Sequence, residues 1–256
     1  MNVRNALSVT SFAWLEIKRT HLWRFVVALI VIGCAVAEFA ASIAVTESAH
    51  YRLIFYAASM RLAAAFVMAL LVATSVLREI DDKVVDLILS RPVSRTDWYV
   101  GKLLGYVTAV VCFAVLISLP LVLQAPAEGL SWCYSLALEL IIVVAATLAF
   151  AITLRHIAIA ISAVAGFYIL SRGIAGLALI STGPTVDQSL PSSRFLAWAV
   201  DSLAHLLPDL DRFTQASWLV EGAPSTAALA MLTVQTLIYT SLLIGVGLFD
   251  LHRRNF

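Results

Sequence analysis

Charge is what this sequence has least of. Asp, Glu, Lys and Arg together make up 13% of its 256 residues, where soluble domains carry about 25%. A soluble enzyme of this size could not cover its apolar surface with so few polar groups. The net charge is only +1, so no basic field points to nucleic acid. Cysteine is scarce as well. Cys34, Cys112 and Cys133 lie in separate apolar runs. That excludes a disulfide framework and zinc spacing, and the three read as small buried hydrophobes. No G-x-x-x-x-G-K-[ST] occurs, because Gly101-Lys102 lacks the preceding glycine at the required distance. The chain therefore has no phosphate cradle of that type with which to hydrolyse ATP. Neither H-E-x-x-H nor G-x-S-x-G is present, so no hydrolase site is legible. Asp201 and His205 stand at i and i+4, but two ligands are too few for a metal. The sequence thus offers no catalytic residue, no cofactor site and no metal site, and it does not read as an enzyme.

What it has in excess is hydrophobicity, at 61%. A bilayer core about 30 Å thick needs roughly 20 apolar residues per helix. Six stretches qualify: 22–45, 53–77, 99–123, 132–154, 157–180 and 226–248. The expected fold is an all-α polytopic membrane protein, a single domain of six transmembrane helices. Six spans place both termini on one side. Arg52, Arg61, Arg172, Arg194 and Arg212 fall on the other side, and the rest of the 17 Lys and Arg fall on the side of the termini. Positive charge marks the cytoplasm, so the termini are expected to be cytoplasmic. The first span is no cleaved signal peptide, since it is long, contains Glu38 and follows about twenty residues. Those residues, 1–21, mix Phe12, Trp14, Leu15 and Ile17 with Glu16, Lys18 and Arg19. They read as a helix lying at the membrane interface.

Three further segments are informative. Between spans five and six, 181–225 forms a long outer segment. It should carry a helix over 193–207, stopped by Pro208. Leu196, Val200, Leu203 and Leu207 form one stripe of that helix, and Arg194, Trp198, Asp201 and His205 the opposite one. On the fifth span, Ala158, Ser162 and Gly166 repeat at i, i+4 and i+8. Such a stripe of small residues lets helices approach closely, in a dimer interface or between helices of one subunit. Between spans two and three lies the charged segment 78–98. Glu79, Asp82, Lys83 and Asp86 share one helical face, and Ile80, Val84, Leu87 and Ile88 the other. Pro92 should end that helix at Arg91. Ser94, three residues before Asp97, then caps the third span.

The run from Val76 through Arg78-Glu79-Ile80-Asp81 and Leu87-Ile88-Leu89-Ser90-Arg91-Pro92-Val93-Ser94-Arg95, followed by Gly101-Lys102-Leu103-Leu104-Gly105, resembles the permease subunits of ABC-2 type ATP-binding-cassette transporters. The six-span plan, the outer stretch Leu206 to Phe213 and the basic end Phe249 to Phe256 are similar too. Within the family the likeness leans toward permeases of copper-site and cytochrome assembly. The resemblance implies a multi-pass protein of the bacterial inner membrane that exports a substrate or supports metal-enzyme maturation. Two permease subunits, more often identical than not, would pair with two ATPase subunits that bind ATP and Mg. The segment from Glu79 to Arg91 (Glu79, Ile80, Asp82, Val84, Asp86, Leu87, Ile88 and Arg91) would be the coupling helix seated in the ATPase. An outer or periplasmic accessory protein is a further partner it allows.

Four ionisable residues lie deep within the spans: Glu38, Arg61, Glu139 and Arg172. At 1.5 Å per residue all four stand about 21–26 Å above the inner ends. Charges at such depth pair or line a cavity. They are expected to form one polar layer, which locks the helices or gates the outer end of the path. A secondary transporter would instead place acids or broken helices near the midplane, and no such pair of breaks is present.

Overall fold

The computed structural model describes residues 3–19, 22–43, 47–82, 94–154, 156–181 and 191–253. Helix is the only regular structure among them. The helices are α1 (Val3–Arg19), α2 (Leu22–Ile43), α3 (Ser48–Asp81), α4 (Arg95–Gln124), α5 (Pro126–Leu154), α6 (Ile157–Ser181), α7 (Pro191–Leu206), the short α8 (Trp218–Glu221) and α9 (Thr226–Arg253). A 3-10 turn, Leu210–Arg212, lies between α7 and α8. Six helices, α2 to α6 and α9, are long and apolar enough to cross a membrane. The chain is a multi-pass helical protein.

Helix ends follow local chemistry. The Ser94 hydroxyl accepts from the Asp97 amide at 3.1 Å and so caps α4, as the Ser-x-x-Asp pattern predicts. Pro126 opens α5, a first helical position where its missing N–H costs nothing. At the end of α3 the structure differs from the sequence reading. The second span and the start of the charged segment are one helix of 34 residues running to Asp81. Nothing between Leu77 and Asp81 breaks a helix, so it continues until the Asp82 amide closes on the Arg78 carbonyl at 2.9 Å. At about 51 Å, α3 is longer than the hydrocarbon core is thick.

The core is organised around α5, which packs against α3, α4, α6 and α9. Of its most apolar stretch 78% is buried, against 22% for α6 and 11% for α9. Ala145, Ala146 and Ala149 on α5 are fully enclosed, small residues that allow close approach where lipid supplies no hydrophobic drive. One end of the bundle gathers α1, the start of α4 and the close of α9. There the Thr10 hydroxyl donates to the Gly101 carbonyl at 3.0 Å, and Arg95 Nη1 donates to the Leu251 carbonyl at 2.8 Å. We call this the terminal end. The opposite, far end carries the 3-10 turn and α8.

Candidate functional site

Two clusters of buried polar groups stand at opposite ends of the bundle. At the far end, Glu139 of α5 is completely enclosed. A carboxylate at such a place persists only with partners on its lone pairs. Three donors supply them. Tyr168 Oη donates to Oε1 at 2.8 Å and Arg172 Nη1 donates to Oε1 at 3.1 Å, both from α6. The Thr214 hydroxyl donates to Oε2.

Thr214 belongs to the irregular chain between the 3-10 turn and α8, and the spans hold every polar group it has. Its amide donates to Ser135 Oγ at 2.9 Å, and its carbonyl accepts from Arg61 Nη1 at 2.7 Å. Arg172 also donates to the Leu210 carbonyl at 3.0 Å. Thr214 sits at φ 45°, in the left-handed region that a β-branched residue adopts only under constraint. Such backbone strain costs about 1–3 kcal/mol. The surrounding bonds hold it there, and together they clasp the far-end loop onto α3, α5 and α6.

This clasp unites Arg61, Glu139 and Arg172 but not Glu38. The single four-residue layer expected from sequence is therefore corrected. Glu38 is exposed and pairs with Arg52 at 3.0 Å, and Arg52 also donates to Gln124 at 2.8 Å. They line a separate cavity of about 300 Å³ between α2, α3 and α4. Height along a helix fixes depth but not the direction a side chain takes around the axis, and Glu38 points away from the others.

At the terminal end Lys102 of α4 has no exposed side-chain surface. Its ammonium donates to Glu79 Oε1 on α3 and to Glu16 Oε2 on α1, the latter at 3.1 Å. Ser75 Oγ donates to Glu16 Oε1 at 2.8 Å, and Tyr106 Oη donates to Ser75 Oγ at 2.9 Å. Lys102 Nζ also lies 5.6 Å from the Phe12 ring centre and 5.8 Å from that of Tyr106, within cation–π range. The close approach of α1 depends on Gly105, where a Cβ would fall 2.6 Å from that of Ala13. Burial alone would raise the Glu16 carboxyl. The Lys102 ammonium and the Ser75 hydroxyl outweigh it and hold that carboxyl below its ordinary range. Among the described residues the tie sets one ammonium between two carboxylates, and Glu79 Oε2 is buried without a partner.

Glu79 thus departs from its expected place. Read as part of a charged face offered to a partner, it is buried and turned inward, because α3 continues straight through it toward Lys102. Ile80 is half-buried against the core and Asp82 is exposed. Val84, Asp86, Leu87, Ile88 and Arg91 lie outside the described residues.

On α6, Ala158 and Ser162 are exposed, and a Cβ at Gly166 would meet nothing within 4 Å. Among the described residues the small-residue stripe is therefore not used between helices. The far-end helix α7 forms, with Val200 and Leu207 half-buried, yet Leu196, Trp198 and Leu203 remain exposed, so among the described residues its apolar stripe is only partly covered. Asp201 and His205 approach to 3.8 Å on its exposed surface, and among the described residues no three His, Cys, Asp or Glu side chains could share a metal.

Sequence reasoning missed Lys102, Glu16, Tyr168 and Thr214. Lys102 carried a usable signal: a lysine between Gly101 and Gly105 can be overlain by a second helix. Thr214 carried none. No protein-family model matches this chain, and no curated protein matches it in sequence.

Proposed function

We propose that this chain is the transmembrane permease subunit of an ABC-2 type exporter in a bacterial inner membrane. It contributes no nucleotide site of its own. A separate pair of ATPase subunits binds ATP and Mg, and a second copy of the chain completes the path. The terminal end faces the cytoplasm in this reading, in keeping with its excess of Lys and Arg.

One observation carries the reading beyond the resemblance. The segment 83–93 is rooted at both ends in rigid structure. On one side α3 is fastened through Glu79 to Lys102 and, through Lys102, to α1. On the other, α4 is capped by Ser94 and tied by Arg95 to the close of α9. A coupling element needs such roots, because a push delivered to a loosely attached loop is lost before it reaches the spans. In this reading the far-end clasp is the outer gate. Its loop closes over α3, α5 and α6 through bonds that can be broken together.

The test is purification of the tagged chain from its native membrane, followed by ATPase assay of the complex. A P-loop ATPase should accompany the wild-type chain. Val84→Asp, on the apolar face of the coupling segment, should abolish its recovery or uncouple its activity. Asp82→Ala should do much less, since single exposed ion pairs contribute about 0–1 kcal/mol. If no ATPase copurifies with the wild type, the transporter reading fails. If Val84→Asp keeps recovery and activity at the wild-type level, the segment is not the coupling element.

A further inference from the structure

A narrow apolar groove of about 200 Å³ runs between α3 and α6 with α5 as its floor. It extends from Ala69 and Ile161 to Leu62 and Ile169, about 10 Å along α3 at 1.5 Å per residue. Leu62 and Ile169 at its rim are 52% and 69% exposed, so it opens sideways, where a membrane would lie. The helical stripes that line it both end in arginine. On α3, Ala69, Ala65 and Arg61 follow at intervals of four. On α6, Ile161, Ala165, Tyr168 and Arg172 follow at i, i+4, i+7 and i+11. These are one-face spacings, so an arginine of each wall stands just beyond the groove's lining, at its far end.

Among the described residues the charge there is unbalanced. Two guanidiniums face one buried carboxylate, Glu139, and Arg61 Nε is buried without a partner. The other acid acting on Arg61, Asp211, is exposed. Arg172 keeps 16% of its side-chain surface accessible. An apolar slot open to lipid, with surplus positive charge just beyond its far end, complements one kind of molecule, an amphiphile with an anionic head. We propose that the groove binds an anionic phospholipid of the leaflet at the far end, its acyl chain along α6 and its phosphate at Arg172, with Arg61 behind. The proposal does not depend on the ATPase reading, and its test needs no ATPase.

The test uses the full chain in nanodiscs of equal phosphatidylglycerol and phosphatidylcholine, released into detergent and weighed by native mass spectrometry. Retained phosphatidylglycerol should exceed phosphatidylcholine about fivefold, the ratio expected when one guanidinium meets a net-anionic head rather than a zwitterionic one. Ala165→Phe and Ile161→Trp fill the slot without touching the clasp. Each should abolish the excess while the thermal midpoint and oligomeric state stay at wild-type values. Arg172→Gln should bring the two lipids to equal retention. Equal retention by the wild type overturns the proposal. So does an undiminished excess in both filled variants. A filled variant that alters only the oligomeric state would show that a second copy occupies the groove, which also overturns it.

Discussion

At Thr214 two opposing energies meet on one residue. Its left-handed backbone costs about 1–3 kcal/mol, and its hydroxyl bond to the Glu139 carboxylate is worth about 1.5–3 kcal/mol as a hydrogen bond to a charged group. Thr214→Gly removes both, so its thermal midpoint in detergent should stay close to that of the wild type. Thr214→Val keeps the strain and loses only the bond, and should be the less stable of the two. The order of these midpoints separates strain from bonding in a way that alanine could not. Lys102 presents a simpler case. Lys102→Met strands two carboxylates at the terminal end, and stripping one partner from a buried pair costs about 3–5 kcal/mol. Glu79→Gln leaves the ammonium matched by Glu16. It should therefore cost clearly less, because the remaining pair is neutral. Thermal unfolding of both variants under the same detergent conditions checks the difference.

At the scale of elements, α6 presents the stripe of Ala158, Ser162 and Gly166 to no helix among the described residues. Gly166→Leu should accordingly leave the monomer's thermal midpoint unchanged and reduce recovery of the dimer in cross-linking, since a leucine on that stripe holds a partner helix away. Unchanged dimer recovery would remove the stripe from any interface. The elements themselves were the most legible part of the sequence. Runs of twenty apolar residues announce spans whatever their neighbours do, and the Ser94 cap acts over three residues, so both could be read locally. The clusters were harder because they join distant positions. Arg61 and Glu139 could be assigned a common depth by counting residues, and Glu38 was assigned that depth too. Only packing decided which of them faced each other. Lys102 looked like an ordinary positive charge at a span's inner end until α1 was seen lying across Gly105. The loop clasp could not be read at all, since Thr214 owes its importance to a backbone angle and to partners 75 and 153 residues away in sequence.

For the molecule as a whole, burial divides the spans into a fixed centre and a looser periphery. The enclosed helix α5 is the centre. By contrast, α6 is joined at both extremities and seated on the core along one narrow face, that of Ala160, Val164 and Tyr168. Two residues separate it from α5 at the terminal end, and Arg172 fastens it to the clasp at the far end. Between these points it leans over the α3 groove, with Ile169 and Leu170 exposed. Spin labels at Phe66 and Ala165, across the middle of the groove, should give a broader distance distribution than labels at Ala58 and Gly176, beyond the arginines. A beam joined at both ends and seated along one narrow face cannot swing and cannot slide. It answers a sideways load by bowing, most at midspan and least at the supports. The groove is thus a slot whose width is set by the curvature of one rod, so it can widen for a guest while the joints at both ends of α6 stay closed.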